Sequence, residues 1–394
     1  MVSDRNQSRV TVGCYLDPIT PLWATRANVA SARLMGADDI WVGDHVRSVF
    51  PSTAWNPKLS PMARFIPSLD AYLDPTVVIA RWAGRLGITM GMSVTDAIRR
   101  TPADLARSWM SLHHLTRGHA VLGIGSGEHE NVVPYGQSME RRVSRLEDTL
   151  CAIREAWESE GKPLTHEGDF HRWKDATFAL PKRRGTTPPV WVAAQGPRAC
   201  RVAGRYGDGW LYIPLTGVDA WHDAAAQVVN GATEAGREPN AMTRSLYFAP
   251  LPARNRAAMQ QIAAQPMVHA MALTLPAAAW TAAGARHPLG DDYTGFIELD
   301  PKVLESESLR EYGKDISVEL LREIIPFGNA EHIVEQLRRV VDAGVNHVII
   351  YSAASALKPS LAAGSLIEQR RLMQMLKKLK PGPFGNRRTP NEFG

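Results

Sequence analysis

Eight short apolar runs, most of them followed by a segment of helical periodicity, limit this chain to very few architectures. They span residues 10–15, 39–43, 87–94, 120–124, 190–194, 209–213, 245–249 and 347–351. Most are nearly continuous in apolar residues and do not alternate, as parallel strands covered on both faces require. Between them, apolar residues recur near every 3.6 positions over 23–35, 102–115, 143–157, 198–206 and 330–343. Pro102 and Pro197 stand where a first helical turn tolerates proline, and Gly36, Gly118 and Gly344 where helices should stop. Eight strand–helix repeats predict an α/β fold, a (β/α)8 TIM barrel in preference to an open doubly wound sheet. The 394 residues suffice for one such domain over 1–380, with insertions at about 46–73, 162–188 and 266–325. The stretch 381–394, rich in proline, glycine and charge, reads as a disordered tail.

Composition narrows the function. A net charge of +5 suits an anionic ligand but is too small and dispersed to argue for nucleic acid. Cys14, Cys151 and Cys200 lie far apart with no CxxC pair, which argues for a reducing compartment and against a disulfide framework or a zinc site. The twelve histidines form no HExxH motif, so no metal is expected. With no basic-then-apolar start and no run of about 18 apolar residues, a cytoplasmic location without an integral membrane segment is expected.

Barrels of this kind react at the C-terminal ends of their strands. Asp44-His45 follows the second run, and an imidazole there can exchange a proton near neutral pH. Read alone, the pair is as readily a surface cap. The third run leads through Ser93-Val94-Thr95 to Arg99-Arg100, whose charges read equally as ligand contacts or as solvated residues before a helix. The fourth closes on Gly123, Gly125 and Gly127, followed by Glu128 and Asn131. Glycines there let a flat ligand lie against the backbone, and the polar pair supplies hydrogen bonds at its edge. The spacing is not the dinucleotide fingerprint, because Pro134 and Gly136 intervene before any helix. The fifth passes through Ala194-Gln195-Gly196-Pro197-Arg198 into a helix whose N-terminus could hold a phosphate, or could be an ordinary connection.

As an ordered set, Asp-His, Ser-Val-Thr, GxGxGE(x)2N and A-x-Gly-Pro resemble the bacterial-luciferase-like superfamily, in its branch of oxidoreductases using the deazaflavin coenzyme F420. Trp41-Val-Gly-Asp-His45, Leu115-Thr-Arg-Gly118, Pro134-Tyr-Gly136, Trp191-Val-Ala-Ala194 and His287-Pro-Leu-Gly290 are similar to mycobacterial phthiodiolone ketoreductases. The resemblance implies a deazaflavin across the barrel mouth, its phosphate near Gly196-Pro197, and a cis peptide at Ser93-Val94. It implies that Asp44 meets the ring's polar edge and that His45 and Glu128 flank the reactive face, as proton donor and its alternate. Ser93, Val94, Thr95, Gly127, Asn131, Ala194, Gln195 and Arg198 are the further cofactor contacts so implied. The family's sugar-phosphate dehydrogenases carry a tryptophan where this chain has Val49, and a phosphate-holding lysine after strand six; from Trp210 to Gly236 there is no Lys or Arg. The apolar stretches 210–215 and 267–280 therefore point to a lipophilic ketone, although the second reads equally as a packed helix. An FMN-dependent monooxygenase on the same barrel and a non-catalytic cofactor-binding protein are the alternatives. A homodimer is expected as the commonest assembly.

Overall fold

A computed structural model describes residues 8–58, 61–213, 217–352 and 359–385. Eight parallel strands close into a barrel: β1 (Thr11–Leu16), β2 (Asp39–Val42), β3 (Thr89–Met92), β4 (Ala120–Gly125), β5 (Val190–Ala193), β6 (Gly209–Tyr212), β7 (Thr243–Phe248) and β8 (His347–Tyr351). Pairing runs around the ring in chain order; β8 pairs β1, with Thr11 opposite His347, and β3 pairs β4, with Met90 opposite Ala120. The helices outside are α1 (Leu22–Met35), α2 (Pro75–Leu86), α3 (Pro102–Leu115), α4 (Arg142–Glu158), α5 (Pro197–Tyr206), α6 (Gly217–Glu234), α7 (Ala330–Asp342) and α8 (Pro359–Leu376).

Local chemistry sets these boundaries. Thr101 Oγ1 accepts from Asp104 N–H at 3.2 Å to open α3, with Pro102 at its first position. Gly36 closes α1 at φ 83°. Gly87, read as the start of the third strand, is instead the left-handed cap of α2 at φ 61°, so β3 begins two residues later.

The barrel interior is filled. Trp41 and Trp191 lie 4.4 Å apart at its centre, with the His347 ring edge-on to Trp191 at 4.9 Å. Asp39 accepts from Trp41 Nε1 at 2.7 Å and pairs with His347 Nε2 at 3.0 Å, while Ser245 Oγ lies 2.7 Å from His347 Nδ1. Gly91 and Gly209 make room for the two indoles, since a methyl at either would run into one of them. The main apolar core lies outside the strands, under the helices, and a second cluster gathers the insertions.

The 162–188 segment carries a two-stranded antiparallel hairpin, Leu164–Glu167 with Arg172–Ala176. Helices Arg256–Ala263, Pro266–Leu273, Ala277–Ala282, Ser306–Tyr312 and Val318–Ile324 lie between β7 and α7, so that insertion begins about ten residues before 266. The tail expected to lack order after Lys380 is packed as far as it is described. Gly382 N–H donates to Val341 O at 2.9 Å, and Arg244 stacks over Phe384 at 4.8 Å. Residues 386–394 lie outside the described residues.

Candidate active site

The C-terminal ends of the strands surround a cavity of about 480 Å³, and all thirteen residues singled out from the sequence line it. They do so in different ways. The turn after β4 enters a short helix, His129–Val132, and brings Glu128, Glu130 and Asn131 under His45, which follows β2. Asn131 is buried and organises the group. Its Oδ1 accepts from Val46 N–H at 2.7 Å and Arg47 N–H at 3.3 Å, which fixes which end of the amide faces which way. The NH₂ end therefore meets His45 Nδ1 at 2.9 Å, Glu130 Oε1 at 3.0 Å and Glu128 Oε2 at 3.3 Å. Nδ1 must accept there, so a neutral His45 carries its proton on Nε2. Nε2 makes no hydrogen bond among the described residues. His45 Nδ1 also stands 3.6 Å from Glu128 Oε2 and 3.9 Å from Glu130 Oε1.

Glu130 carries a signal that sequence reading missed, because in sequence it is one more charge in a turn. Its side chain is wholly buried and its Oε2 has no partner. Burial first, then the neighbouring Glu128 carboxylate, pushes its pKa up to about 10, so it is a neutral acid at neutral pH. A second missed group comes from β1, β7, β8 and the segment before α2. Asp17 accepts from Tyr15 at 3.0 Å and Tyr72 at 3.3 Å, and Tyr247 and Tyr351 pack edge-on to Tyr15 at 5.4 and 5.2 Å. Burial holds the Asp17 carboxyl above its usual range, opposed by the nearby His45 and by the hydroxyls of Tyr15, Tyr351 and Tyr72. No periodicity brings those five residues together; the pairing of β8 with β1 and β7, and the Ile19–Tyr72 bridge, do.

Asp44 lines the cavity, yet its carboxylate is already held. Arg100 grips it with Nε and Nη2, each at 3.1 Å, and Arg99 Nη2 stands 3.4 Å away. Arg99 also pairs with Asp96, and Arg100 with Asp74 at 3.1 Å. The two arginines are thus part of the site's frame, and the solvated reading of them is wrong. Their ion pairs tie β2 to the β3–α3 connection.

The glycines in and just after β4 serve the strands as well as any ligand. A methyl on Gly123 would overlap the Met92 carbonyl oxygen, and one on Gly125 would press on Val94 at 3.2 Å. Both let β3 and the Ser93–Val94 peptide, which is cis, lie close against β4. Gly127 alone needs glycine for its backbone, at φ 97°.

On the far rim, Gly196 caps α5 with no side-chain hydrogen bond, and the space where its Cβ would sit is open. The first amides of α5 are therefore available to an anion. The Arg198 side chain instead points to Glu147, at 3.4 Å. On β6 the facing is opposite to that expected for part of the 210–215 stretch. Leu211 and Ile213 line the cavity, whereas Trp210 and Tyr212 face outward and pack on Trp221 at 4.5 and 5.4 Å. Pro214 and Leu215 lie outside the described residues. The 267–280 stretch is two short packed helices, Pro266–Leu273 and Ala277–Ala282, and it also reaches the site, through Met271 and the cap residue Thr274.

The luciferase-like monooxygenase family model matches residues 11–347. The chain belongs to this family. Among luciferase-like relatives, the phthiodiolone/phenolphthiodiolone dimycocerosates ketoreductase of Mycobacterium tuberculosis is 34% identical over 366 residues, covering 92% of this chain and 96% of that one. An F420-dependent secondary alcohol dehydrogenase in complex with an F420-acetone adduct superposes with a TM-score of 0.69 at 18% identity, covering 94% and 100% of the two chains. The oxygenating constituent of 3,6-diketocamphane monooxygenase from Pseudomonas putida, in complex with FMN, superposes at 0.62 with 14% identity, covering 95% and 98%. These two structural likenesses show the luciferase-like barrel fold. As a member of this family the chain is an oxidoreductase.

Proposed function

We propose that this luciferase-like oxidoreductase uses coenzyme F420 to reduce a lipophilic ketone. When bound, the reduced deazaflavin supplies a hydride to the carbonyl carbon. The residues present fit such a ring. The cavity is open at Gly196, its α5 amides can take a phosphate, and Gly125, Gly127 and Val94 give a wall with few side-chain atoms. The observation that carries the reading is the convergence of His45 and Glu128 on a cavity whose other walls are largely apolar. Phe50, Leu211, Ile213, Met271, Phe296 and Ile325 form those walls. Among the described residues no lysine lines it, and Arg99, Arg142 and Arg198 are each paired with a carboxylate. Each cation on the wall thus already faces a carboxylate, which argues against a site dedicated to a sugar phosphate.

A second cavity of about 390 Å³ meets the first at Asp17, Phe50, Tyr72 and Met271, and extends between α1 and α8 past Trp55, Met62, Ile66 and Leu366. It gives room for a long hydrocarbon arm beside the reacting carbonyl. The protein's own work is to orient the ketone, keep water out and deliver a proton from His45 Nε2 to its oxygen. The test mixes the protein with reduced F420 and a medium-chain 2-alkanone, and separately with reduced FMN and oxygen. Oxidation of F420 that depends on the ketone supports the reading. Oxygen consumption with FMN alone would assign the monooxygenase instead, and binding of neither cofactor would remove both.

A further inference from the structure

The carboxyl group of Glu130 has no role in the chemistry derived so far, and its position calls for one. A neutral His45 cannot simply give up its Nε2 proton, because the imidazolate left behind is too basic to persist at neutral pH. Nδ1 must gain a proton as Nε2 loses one. Asn131 cannot supply it. The group that can is a carboxylic acid close to Nδ1 that stays protonated at working pH.

We propose that Glu130 is the proton store of the site: wholly buried, with Oε2 unpartnered and Oε1 3.9 Å from His45 Nδ1, it recharges the imidazole as His45 protonates the substrate oxygen. The assignment rests on the F420-dependent ketone reduction proposed above. The bonds balance. The Nε2–H bond breaks as the alcohol O–H forms, and a carboxyl O–H breaks as the Nδ1–H forms. His45 ends neutral in its other tautomer, the carboxyl pair ends one proton poorer, and solvent restores that proton through Glu128, which is partly exposed.

The geometry contains both halves of this exchange. Asn131 offers two hydrogens to three acceptors at 2.9–3.3 Å. While the carboxyl pair keeps its proton, one hydrogen goes to Nδ1. Once Nδ1 is protonated, the imidazole turns off the Asn131 NH₂, which stays on the carboxylates, and Nδ1–H faces Glu128 Oε2, 3.6 Å away. The backbone donors of Val46 and Arg47 hold the amide in place throughout. The charged and titratable groups facing Glu130 are Glu128 on its own turn, His45 after β2, Arg99 before α3 and Tyr293 from the insertion. Burial and Glu128 favour its neutral form over the pull of Arg99, consistent with its raised pKa. Glu130 borders the cavity without lining it, so it is a positioning residue for the His45 proton and not a group that touches substrate.

Infrared difference spectra of the apo protein, wild type against Glu130→Gln near pH 8, should show a protonated-carboxyl band that the variant lacks. With reduced F420 and 2-undecanone, wild-type kcat should stay level from about pH 7 to 9. In E130Q it should fall at least ~10-fold, with KM and F420 affinity unchanged, and Glu130→Asp should recover part of the loss. A missing band, or an E130Q protein with wild-type kcat and pH profile, overturns this role for Glu130. A wild type that shows the band yet turns over no ketone overturns the functional reading, and this role with it.

Discussion

Replacing Glu130 with glutamine has a consequence for folding that needs no substrate to measure. The native carboxyl is out of water, and its pKa is pushed from 4.5 up to about 10, first by burial and then by Glu128. Between those values the native chain keeps a proton that the unfolded chain has released. Unfolding free energy then falls by about 1.4 kcal/mol for each pH unit of rise, and the term is flat outside that window. At pH 7 the wild type has lost about 3 kcal/mol relative to its acid plateau. Glutamine has no such ionisation, keeps nearly the same volume, and retains an oxygen to accept from Asn131. Urea unfolding of both proteins at about pH 5, 7 and 9 measures the difference. The variant should be more stable at pH 7 by about 3 kcal/mol, with the gap widening by roughly 1.4 kcal/mol per unit towards pH 9. Parallel stability curves, or a gap that narrows as pH rises, would refute the claim that the fold holds this acid neutral.

His45→Ala should reduce ketone turnover by about 10²-fold or more while F420 still binds, as followed by cofactor absorbance and by equilibrium titration. A loss of binding equal to the loss of turnover would reassign His45 to the cofactor. Gly123→Ala should cost about 1–3 kcal/mol or more, because the Met92 carbonyl must move and the β3–β4 seam opens; thermal unfolding reads it directly. Just after β6, Ile213→Lys should raise the KM for a long-chain ketone. Tyr212→Lys should instead lower Tm with KM unchanged, since its ring packs on Trp221. The reverse pattern would mean that the strand's facing is misassigned.

The eight strands were legible because parallel strands buried on both faces need unbroken apolar runs, and few other elements of that length do. Pro102 and Gly36 marked helix ends because their backbone demands are local. The facing of β6 was not legible. With Trp210, Leu211, Tyr212 and Ile213 all apolar, no polar alternation distinguishes the inner side from the outer. The roles of Arg99 and Arg100 were equally hidden, since their partners Asp44 and Asp74 lie 55 and 26 positions away for the pairs formed. Glu130 was missed for the converse reason. Its environment is made by His45, Arg99 and Tyr293, which only the closed barrel and its insertion bring to one place. His45 and Glu128 were found because strand ends in this architecture are where reactive groups gather.

The tilted indole pair of Trp41 and Trp191, wedged beside His347 and Asp39, plugs the axis of the barrel. Among the described residues nothing can travel down through the centre, so guests come to the reacting face from the rim or along the second cavity between α1 and α8. Two large guests that both take the rim must queue. Whichever sits deeper has to arrive first and, unless it stays resident, depart last.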